Sequence, residues 1–422
     1  MGPRDGRGPK NGHVRAAQPG FEEECVAIDL RARWGALAVI AAVTFGACSA
    51  SVGSSSAPAG AGGGNAPAAS VAAPASAVDY SSVSPSTTIG KNDKAEVTGA
   101  GSTAIYPWLS AVAQIYQQQV APGVAVNYQA IGSGGGIAQF QAKTVDFGAS
   151  DIYLSDAQEQ QIGVPVLNVP MIHWAAAMTY NLPGFTGEVR FSPATIAGIY
   201  LGKITNWNDP ALAADNPGVK LPNLGITVAH RSDGSGTTMN FTSFLSDTSP
   251  AWKSTVGAGL SVNWPVGAGG KGSAGVTALV KQTPGAIGYV ELSYALQNNL
   301  PVGLVKNAAG NFIKPTLAST TAAVAAAVPN APADLRFLIV NPPASSPNAY
   351  PIGASTWVLL YKDYPASKAT EVKAMIDFLW WAIHNGQSYA AQVDYSAMAP
   401  DLVTKVEAVL KSVTVGGQPV LP

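Results

Sequence analysis

From Asp93 onward the chain alternates between two hydrophobic periods. Over residues 124–131, apolar Val124, Val126, Tyr128 and Ala130 interleave with polar Asn127 and Gln129, and a period of two predicts a strand. Over residues 105–116, Ile105, Trp108, Leu109, Val112, Ile115 and Tyr116 recur at helical spacing, and Pro107 falls in the first turn, where a missing N–H costs nothing. Shorter apolar runs predict strands at 145–149 and 226–229, and the pattern near the C-terminus predicts helices at 371–382 and 402–413. Strands interleaved with helices along one chain are the mark of an α/β fold.

The N-terminal part reads differently. Arg31 and Arg33 precede an uncharged, largely apolar run of 14 residues, 34–47, too short to span a bilayer but suited to the hydrophobic region of a signal peptide. Gly46 and Ala47 directly before Cys48 resemble the lipobox of bacterial lipoproteins, with Phe45 in place of the usual aliphatic residue. That resemblance implies acylation of Cys48 and an extracytoplasmic protein anchored to the membrane by lipid. Between 49 and 78, 26 of 30 residues are Ala, Gly, Ser or Pro, without charge, so the stretch cannot bury enough surface to order itself. The expected organisation is a signal region at 1–47 and a tether at 48–92 ahead of the folded part.

With 422 residues, the chain is long enough for two or three compact units at ~150 residues each. Charged residues make up 12%, about half the usual share, and the net charge is −1. A nucleic-acid partner is thereby excluded, because such a surface needs a concentrated basic face. Cys25 and Cys48 are the two cysteines, so beyond residue 48 there is neither a disulfide framework nor thiol chemistry. The four histidines include no pair at i, i+4 spacing, and neither a metal centre nor a cofactor is predicted.

Three loops of one design carry the chemistry: Thr98-Gly-Ala-Gly-Ser-Thr103, Ile131-Gly-Ser-Gly-Gly-Gly136 and Arg231-Ser-Asp-Gly-Ser-Gly-Thr237. Each joins a strand-like run to a helix start through glycines and hydroxyls, exposing the unpaired N–H groups of a first helical turn. One such loop is an ordinary helix cap. Three converging on one point would hold a small oxyanion with amides and hydroxyls in place of lysines. Arg231 can add a bidentate contact, with Asp233 two residues on to hold the guanidinium still. Asp151, which closes the run Val145-Asp-Phe-Gly-Ala-Ser-Asp151, should repel an anion unless the ligand has a proton to give. Phosphate has one at neutral pH and sulfate does not, so an acceptor-only carboxylate would separate the two.

These motifs, together with Leu201-Gly-Lys-Ile-Thr-Asn-Trp-Asn-Asp209, Val262-Asn-Trp-Pro-Val266 and Pro284-Gly-Ala-Ile-Gly-Tyr-Val-Glu291, closely resemble the substrate-binding protein of bacterial phosphate-specific ABC transporters. The resemblance runs in order from about Asp93 to the C-terminus. It implies a two-lobed periplasmic-binding-protein fold of type II kind, two mixed-sheet α/β domains joined by a hinge. Lobe one would comprise 93–172 plus 351–422, and lobe two 173–350. Ser102, Thr103, Ala104, Ser133, Asp151, Arg231, Ser235, Gly236 and Thr237 would fall on phosphate-contacting positions, Ala104 through its backbone N–H, with Asp233 supporting Arg231. The implied partners are inorganic phosphate and the permease subunits that receive it.

Two other readings compete. Gly267, Gly269 and Gly272 match G-x-G-x-x-G, but the helix-like run 276–281 is under two turns, too short for a dinucleotide crossover. A phosphatase could use Ser235 or Ser133 as a nucleophile, yet G-x-S-x-G is absent, and His230, beside Arg231, should be turned from its neighbour's face by strand alternation. The expectation is therefore a binding protein and not an enzyme. A surface scaffold that keeps the fold without transport is the third class.

Overall fold

In the computed structural model, Gly2 and residues 89–421 are described. The signal-peptide, lipidation and tether readings thus lie outside the described residues, apart from the last few positions before Asp93.

The first strand among the described residues is β1 (Ala95–Gly101), which lies between parallel β2 (Val124–Gln129) and β3 (Phe147–Ser150). The β1–β2 crossover is the helix Tyr106–Gln119, and its buried face of Trp108, Leu109, Val112, Ile115 and Tyr116 is the one the spacing predicts. Thr98 to Gly101 belong to β1 itself, so the first of the three glycine loops is a strand end and a short turn. Gly99 leaves room for the Phe147 ring, which a Cβ there would meet at 2.1 Å. The Ser133–Gln141 helix follows β2 and sits so close to β1 that a Cβ on Gly136 would lie 2.4 Å from Gly101 Cα.

The centre of the molecule is β4 (Val166–Tyr180), 15 residues long and buried from Asn168 onward. A strand buried on both faces shows no period of two, only a run of apolar residues. Its residues up to Ala175 pair antiparallel with β11 (Gly353–Tyr361), and those from Ala176 pair antiparallel with β8 (Ala286–Glu291). Between β4 and β8 in the chain lie β5 (Arg190–Phe191), β6 (Thr227–Arg231) and β7 (Ala268–Gly270). One eight-stranded sheet results, in the order β2-β1-β3-β11-β4-β8-β6-β7. Two α/β halves share it, one on β1 to β3 and the other on β6 to β8, with β4 and β11 running between. β9 (Leu304–Lys306) and β10 (Phe312–Ile313) form a small separate sheet with β5.

The β4–β11 ladder carries one irregularity. Trp357 pairs with Pro170 while the adjacent Thr356 pairs with Ile172, leaving Met171 as an extra residue. Pro170 has no N–H to give the ladder, and a bulge is where a central strand tolerates that. A bulge also re-aims the neighbouring side chains, and Thr356 is one of them.

Away from the site, the C-terminal helices Ala369–Ile383 and Pro400–Lys411 cover the first half. Tyr116 packs edge-on against Phe378 with ring centroids 5.4 Å apart, and Trp108 Nε1 donates to the Gly386 carbonyl at 3.1 Å. The packing of the first half away from the site is thus largely apolar.

Candidate functional site

Open α/β sheets leave their ligand crevice at the carboxyl ends of the strands. Here the ends of β1, β3 and β6 deliver Ser102, Asp151 and Arg231, and the N-termini of the Ser133–Gln141 and Gly236–Thr248 helices deliver Ser133 and Gly236. All nine predicted phosphate-contacting residues are buried, Asp233 is partly buried, and the structure brings these ten together; Cys48 lies outside the described residues.

Asp151 is braced by hydroxyls. Its Oδ1 accepts from Ser102 Oγ at 2.5 Å and from Thr356 Oγ1 at 2.6 Å, and its Oδ2 accepts from Ser133 Oγ at 3.1 Å. Its own N–H donates back to Ser133 Oγ, and its carbonyl accepts from Asn240 Nδ2 at 2.8 Å. A carboxylate offers about four acceptor positions. Three are filled, and the fourth belongs to Oδ2. Burial pushes the Asp151 carboxyl up to about 7; the hydrogen bonds from Ser102, Thr356 and Ser133 oppose the rise and the charge of Glu291 adds to it.

Arg231 is braced by a carboxylate. Nε donates to Asp233 Oδ1 at 2.7 Å and Nη2 to Asp233 Oδ2 at 2.6 Å, a two-point pairing that fixes the plane of the guanidinium. Burial works against the arginine's charge, but the Asp233 contact outweighs it and the group is held more firmly protonated than usual. The same contact overcomes burial at Asp233 and holds its carboxyl below the ordinary range. Asp233 also accepts the Gly272 N–H at 3.0 Å, which ties the pair to the start of the Gly272–Gln282 helix. Nη1 is turned away from Asp233 and reaches Ser273 Oγ at 3.2 Å and Thr237 Oγ1 at 3.4 Å.

Around these two centres the hydroxyls interlock across the halves. Thr103 Oγ1 lies 2.8 Å from Ser273 Oγ and accepts the Ser273 N–H at 3.3 Å. Gly134 N–H donates to the Gly234 carbonyl at 2.8 Å, joining the second loop to the third. A Cβ on Gly236 would lie 2.5 Å from Asp151 Cβ and 2.7 Å from Ser133 Oγ, so only glycine lets the halves approach this closely. Ser235 caps its helix by accepting the Thr238 N–H, leaving its own proton for another acceptor. The Ala104 N–H, expected to face an anion, is donated to Ser102 Oγ at 3.0 Å.

Four contributors lie outside the predicted set. Thr356 is 205 residues from Asp151, in a strand with no periodic signal. Asn240, Glu291 and Ser273 are buried at the site, and Thr237 Oγ1 donates to Glu291 Oε1 at 2.5 Å. Glu291 closes a motif that the resemblance carries without assigning it a role, and Ser273 had a local signal of its own. The segment Gly267-Ala-Gly-Gly-Lys-Gly-Ser273 joins β7 to a helix with the same glycine-hydroxyl design as the three loops. One ground for setting that segment aside fails, since its helix is Gly272–Gln282, 11 residues and about three turns, because its first turn is built from Gly272, Ser273 and Gly275 and carries little hydrophobic pattern. His230 is half-buried, stacks on Trp264 at 4.8 Å, and its Nδ1 meets the Arg231 carbonyl at 3.0 Å. Burial lowers its affinity for a proton.

Residues 70–381 match the family model of the PBP superfamily domain. The chain is 42% identical over 329 residues to the phosphate-binding protein PstS of Xylella fastidiosa (strain 9a5c), covering 78% of this chain and 88% of that one. It is also 42% identical over 320 residues to PstS of Pasteurella multocida, covering 75% and 90%. Its fold is similar to the crystal structure of a phosphate-binding protein from Stenotrophomonas maltophilia, with a TM-score of 0.57 at 19% identity over 74% of this chain and 93% of that one.

Proposed function

The chain belongs to the PstS phosphate-binding protein family of the PBP superfamily, and we propose that it captures inorganic phosphate between two lobes and hands it to an ABC-transporter permease. The observation that carries the reading is the pairing of unlike walls. Asp151, with one acceptor position left on Oδ2, stands at the junction of the two halves across from Arg231 Nη1, the Ser235 hydroxyl and the Gly236 and Thr237 amides. Such a site takes an oxyanion that can both accept many hydrogen bonds and give one. Sulfate at neutral pH has no proton to give, and placing it there sets its charge against an unpaired carboxylate.

The ligand contacts we assign are Ser102, Thr103, the Ala104 amide, Ser133, Asp151, Arg231, Ser235, Gly236 and Thr237, with Asp233 supporting Arg231. For the Ala104 amide to serve, Ser102 Oγ must give up the N–H it now accepts. Lobe one is assigned to 93–172 plus 351–422 and lobe two to 173–350, a division supported by the change of β4's partner from β11 to β8 at Ala175–Ala176. Release then follows from opening of the lobes, with no bond made or broken in this chain. Export and acylation at Cys48 would hold the protein outside the cytoplasm on a tether through residue 92. The competing phosphatase reading would need an activated hydroxyl, and Ser235 Oγ instead caps a helix while His230 turns its Nδ1 to a backbone carbonyl.

Calorimetric titration of the purified protein with phosphate and with sulfate tests the proposal. Saturable phosphate binding with sulfate weaker by at least an order of magnitude is expected; equal binding of both, or no heat with phosphate, refutes it. Hydrolysis of a chromogenic phosphate ester that disappears in Ser235→Ala would instead establish the enzyme.

A further inference from the structure

Three successive carbonyls of the first glycine-hydroxyl loop each accept from a tyrosine hydroxyl. Tyr128 Oη donates to the Ser102 carbonyl at 2.8 Å, Tyr294 Oη to the Thr103 carbonyl at 2.9 Å, and Tyr395 Oη to the Ala104 carbonyl. The three tyrosines come from separate parts of the chain: β2, the helix Leu292–Gln297 that follows β8, and the stretch ahead of the helix Pro400–Lys411. Burial pushes the ionisation of all three hydroxyls up, so each keeps a proton to donate. The middle carbonyl is the one most in need of a partner. Pro107, four residues on, has no N–H to give it, and the Tyr106 N–H reaches it only at 3.4 Å.

A trans peptide sets its C=O and N–H on opposite sides, so a held oxygen aims the N–H of the next residue. The Thr103 carbonyl shares its peptide with the Ala104 N–H, and the carbonyls on either side share theirs with the N–H groups of Thr103 and Ile105. A carbonyl that accepts a hydrogen bond also polarises its peptide, which makes that N–H a better donor. Of the three hydroxyls, only that of Tyr294 reaches across from the second half. Beside it, Ser293 Oγ donates to Tyr395 Oη at 3.0 Å, so the same helical turn holds the Ala104 carbonyl at one remove.

We infer that Tyr294 is a positioning residue that aims the Ala104 amide at the anion when the two halves meet, so that closure completes the donor set of the first loop. The inference rests on the phosphate reading above. Ser102 Oγ accepts the Ala104 N–H at 3.0 Å, and with the Thr103 oxygen pinned the peptide keeps its plane while the ligand replaces Ser102 as acceptor. Fixed dipoles of this kind hold a negative charge without a cation. Because the Tyr294 bond spans the halves, it breaks before the ligand leaves, and its loss is felt in dissociation.

Tyr→Phe variants of the full chain, each lacking one hydroxyl, test this with inorganic phosphate as the ligand. NMR of the phosphate-loaded proteins reads the amide nitrogen that shares a peptide with the released carbonyl. Tyr294→Phe should move the Ala104 resonance and leave those of Thr103 and Ile105, whereas Tyr128→Phe should move Thr103 and Tyr395→Phe should move Ile105. In stopped-flow measurements, Tyr294→Phe should release phosphate about three- to tenfold faster, the worth of one hydrogen bond, at an unchanged association rate. A tyrosine that merely supports the fold would spread its effect over all three amides, and that pattern overturns the inference. So does release from Tyr294→Phe at the wild-type rate, or a loss of affinity carried by slower association. Wild type that binds no phosphate overturns the phosphate reading, and this inference with it.

Discussion

The two walls of the cleft solve opposite problems. On one side a carboxylate, Asp151, is fixed by hydroxyls from Ser102, Ser133 and Thr356; on the other a guanidinium, Arg231, is fixed by a carboxylate, Asp233. Three neutral donors leave Asp151 partly compensated, and its proton affinity rises with burial. A full opposite charge leaves Arg231 compensated, and it stays protonated. The difference shows how a chain poor in charge can hold an anion. The positive wall is nearly neutral as a unit, and the negative wall takes part as an acceptor, so binding comes from directed hydrogen bonds and discrimination from counting protons.

The largest effect should come from breaking the positive wall. Arg231→Ala leaves Asp233 and Glu291 as carboxylates with no cation between them, and phosphate affinity should drop by roughly a thousandfold, as when one partner of a buried charge pair is truncated. Arg231→Lys restores the charge but not the two-point grip on Asp233, so it should recover only part of the loss. Calorimetry on the three proteins checks the order. Recovery to the wild-type value by lysine would mean that charge alone holds the ligand.

Next in size is the negative wall. Asp151→Asn puts a donor where the ligand's proton should go, and phosphate should weaken by about ten- to a hundredfold while sulfate gains, closing the gap between them. The same substitution has a second signature in the empty protein. With its carboxyl raised to about 7 against an ordinary 3.8, folded Asp151 holds a proton that the unfolded chain has already released between those values. Stability is therefore highest below about pH 4 as far as this group is concerned, and it declines by up to ~1.4 kcal/mol for each pH unit as the pH rises to about 7. Thermal melts of ligand-free wild type and Asp151→Asn across that window should diverge, with the asparagine protein losing less stability toward neutral pH.

Closure between the walls should be more sensitive to volume than to charge. Gly236→Ala introduces a methyl 2.5 Å from Asp151 Cβ, both atoms being held by short-range packing at a helix start and a strand end. Overpacking of this kind costs about 1–3 kcal/mol, so affinity should fall roughly tenfold or more with the phosphate-to-sulfate ratio kept. A changed ratio would locate selectivity in the fit and not in Asp151.

Much of this arrangement was legible in the sequence wherever burial is one-sided. The alternating run at 124–131 became β2, the helical spacing at 105–116 became Tyr106–Gln119, and the runs at 226–229, 371–382 and 402–413 became Thr227–Arg231, Ala369–Ile383 and Pro400–Lys411. The run at 145–149 is displaced to Phe147–Ser150, since Asp146 turns its carboxylate to the Thr98 N–H and hydroxyl before the strand begins. β4 and β11 gave no signal of their own because both their faces are buried, and a period of two vanishes when neither side meets water. The candidate site divides the same way. Residues in glycine-hydroxyl loops announced themselves, since a turn into a helix has a local grammar. Thr356 did not, and Glu291 showed only as the last residue of a family motif with no role attached, since each acts from a fully buried strand whose approach to the loops is a matter of sheet order.

Thr356 offers the finest test of the contrast between walls, because it separates bracing a carboxylate from being one. Thr356→Val keeps the shape of the side chain and removes a single hydroxyl, which donates to Asp151 Oδ1 at 2.6 Å and accepts from Trp174 Nε1 at 3.0 Å. Asp151 then loses one of the hydrogen bonds that favour its charged form, so its carboxyl should rise above the wild-type position near 7. Phosphate affinity should fall only about three- to tenfold, the worth of one hydrogen bond. The ratio of phosphate to sulfate should hold, because the free acceptor position is on Oδ2 and Thr356 touches Oδ1. Measured beside Asp151→Asn, the pair gives a sharp division of labour: one variant loses affinity with selectivity intact, and the other loses both. Should Thr356→Val relax the ratio as far as Asp151→Asn does, the two carboxylate oxygens are not distinct in function, and the ligand's proton is read by the carboxylate as a whole.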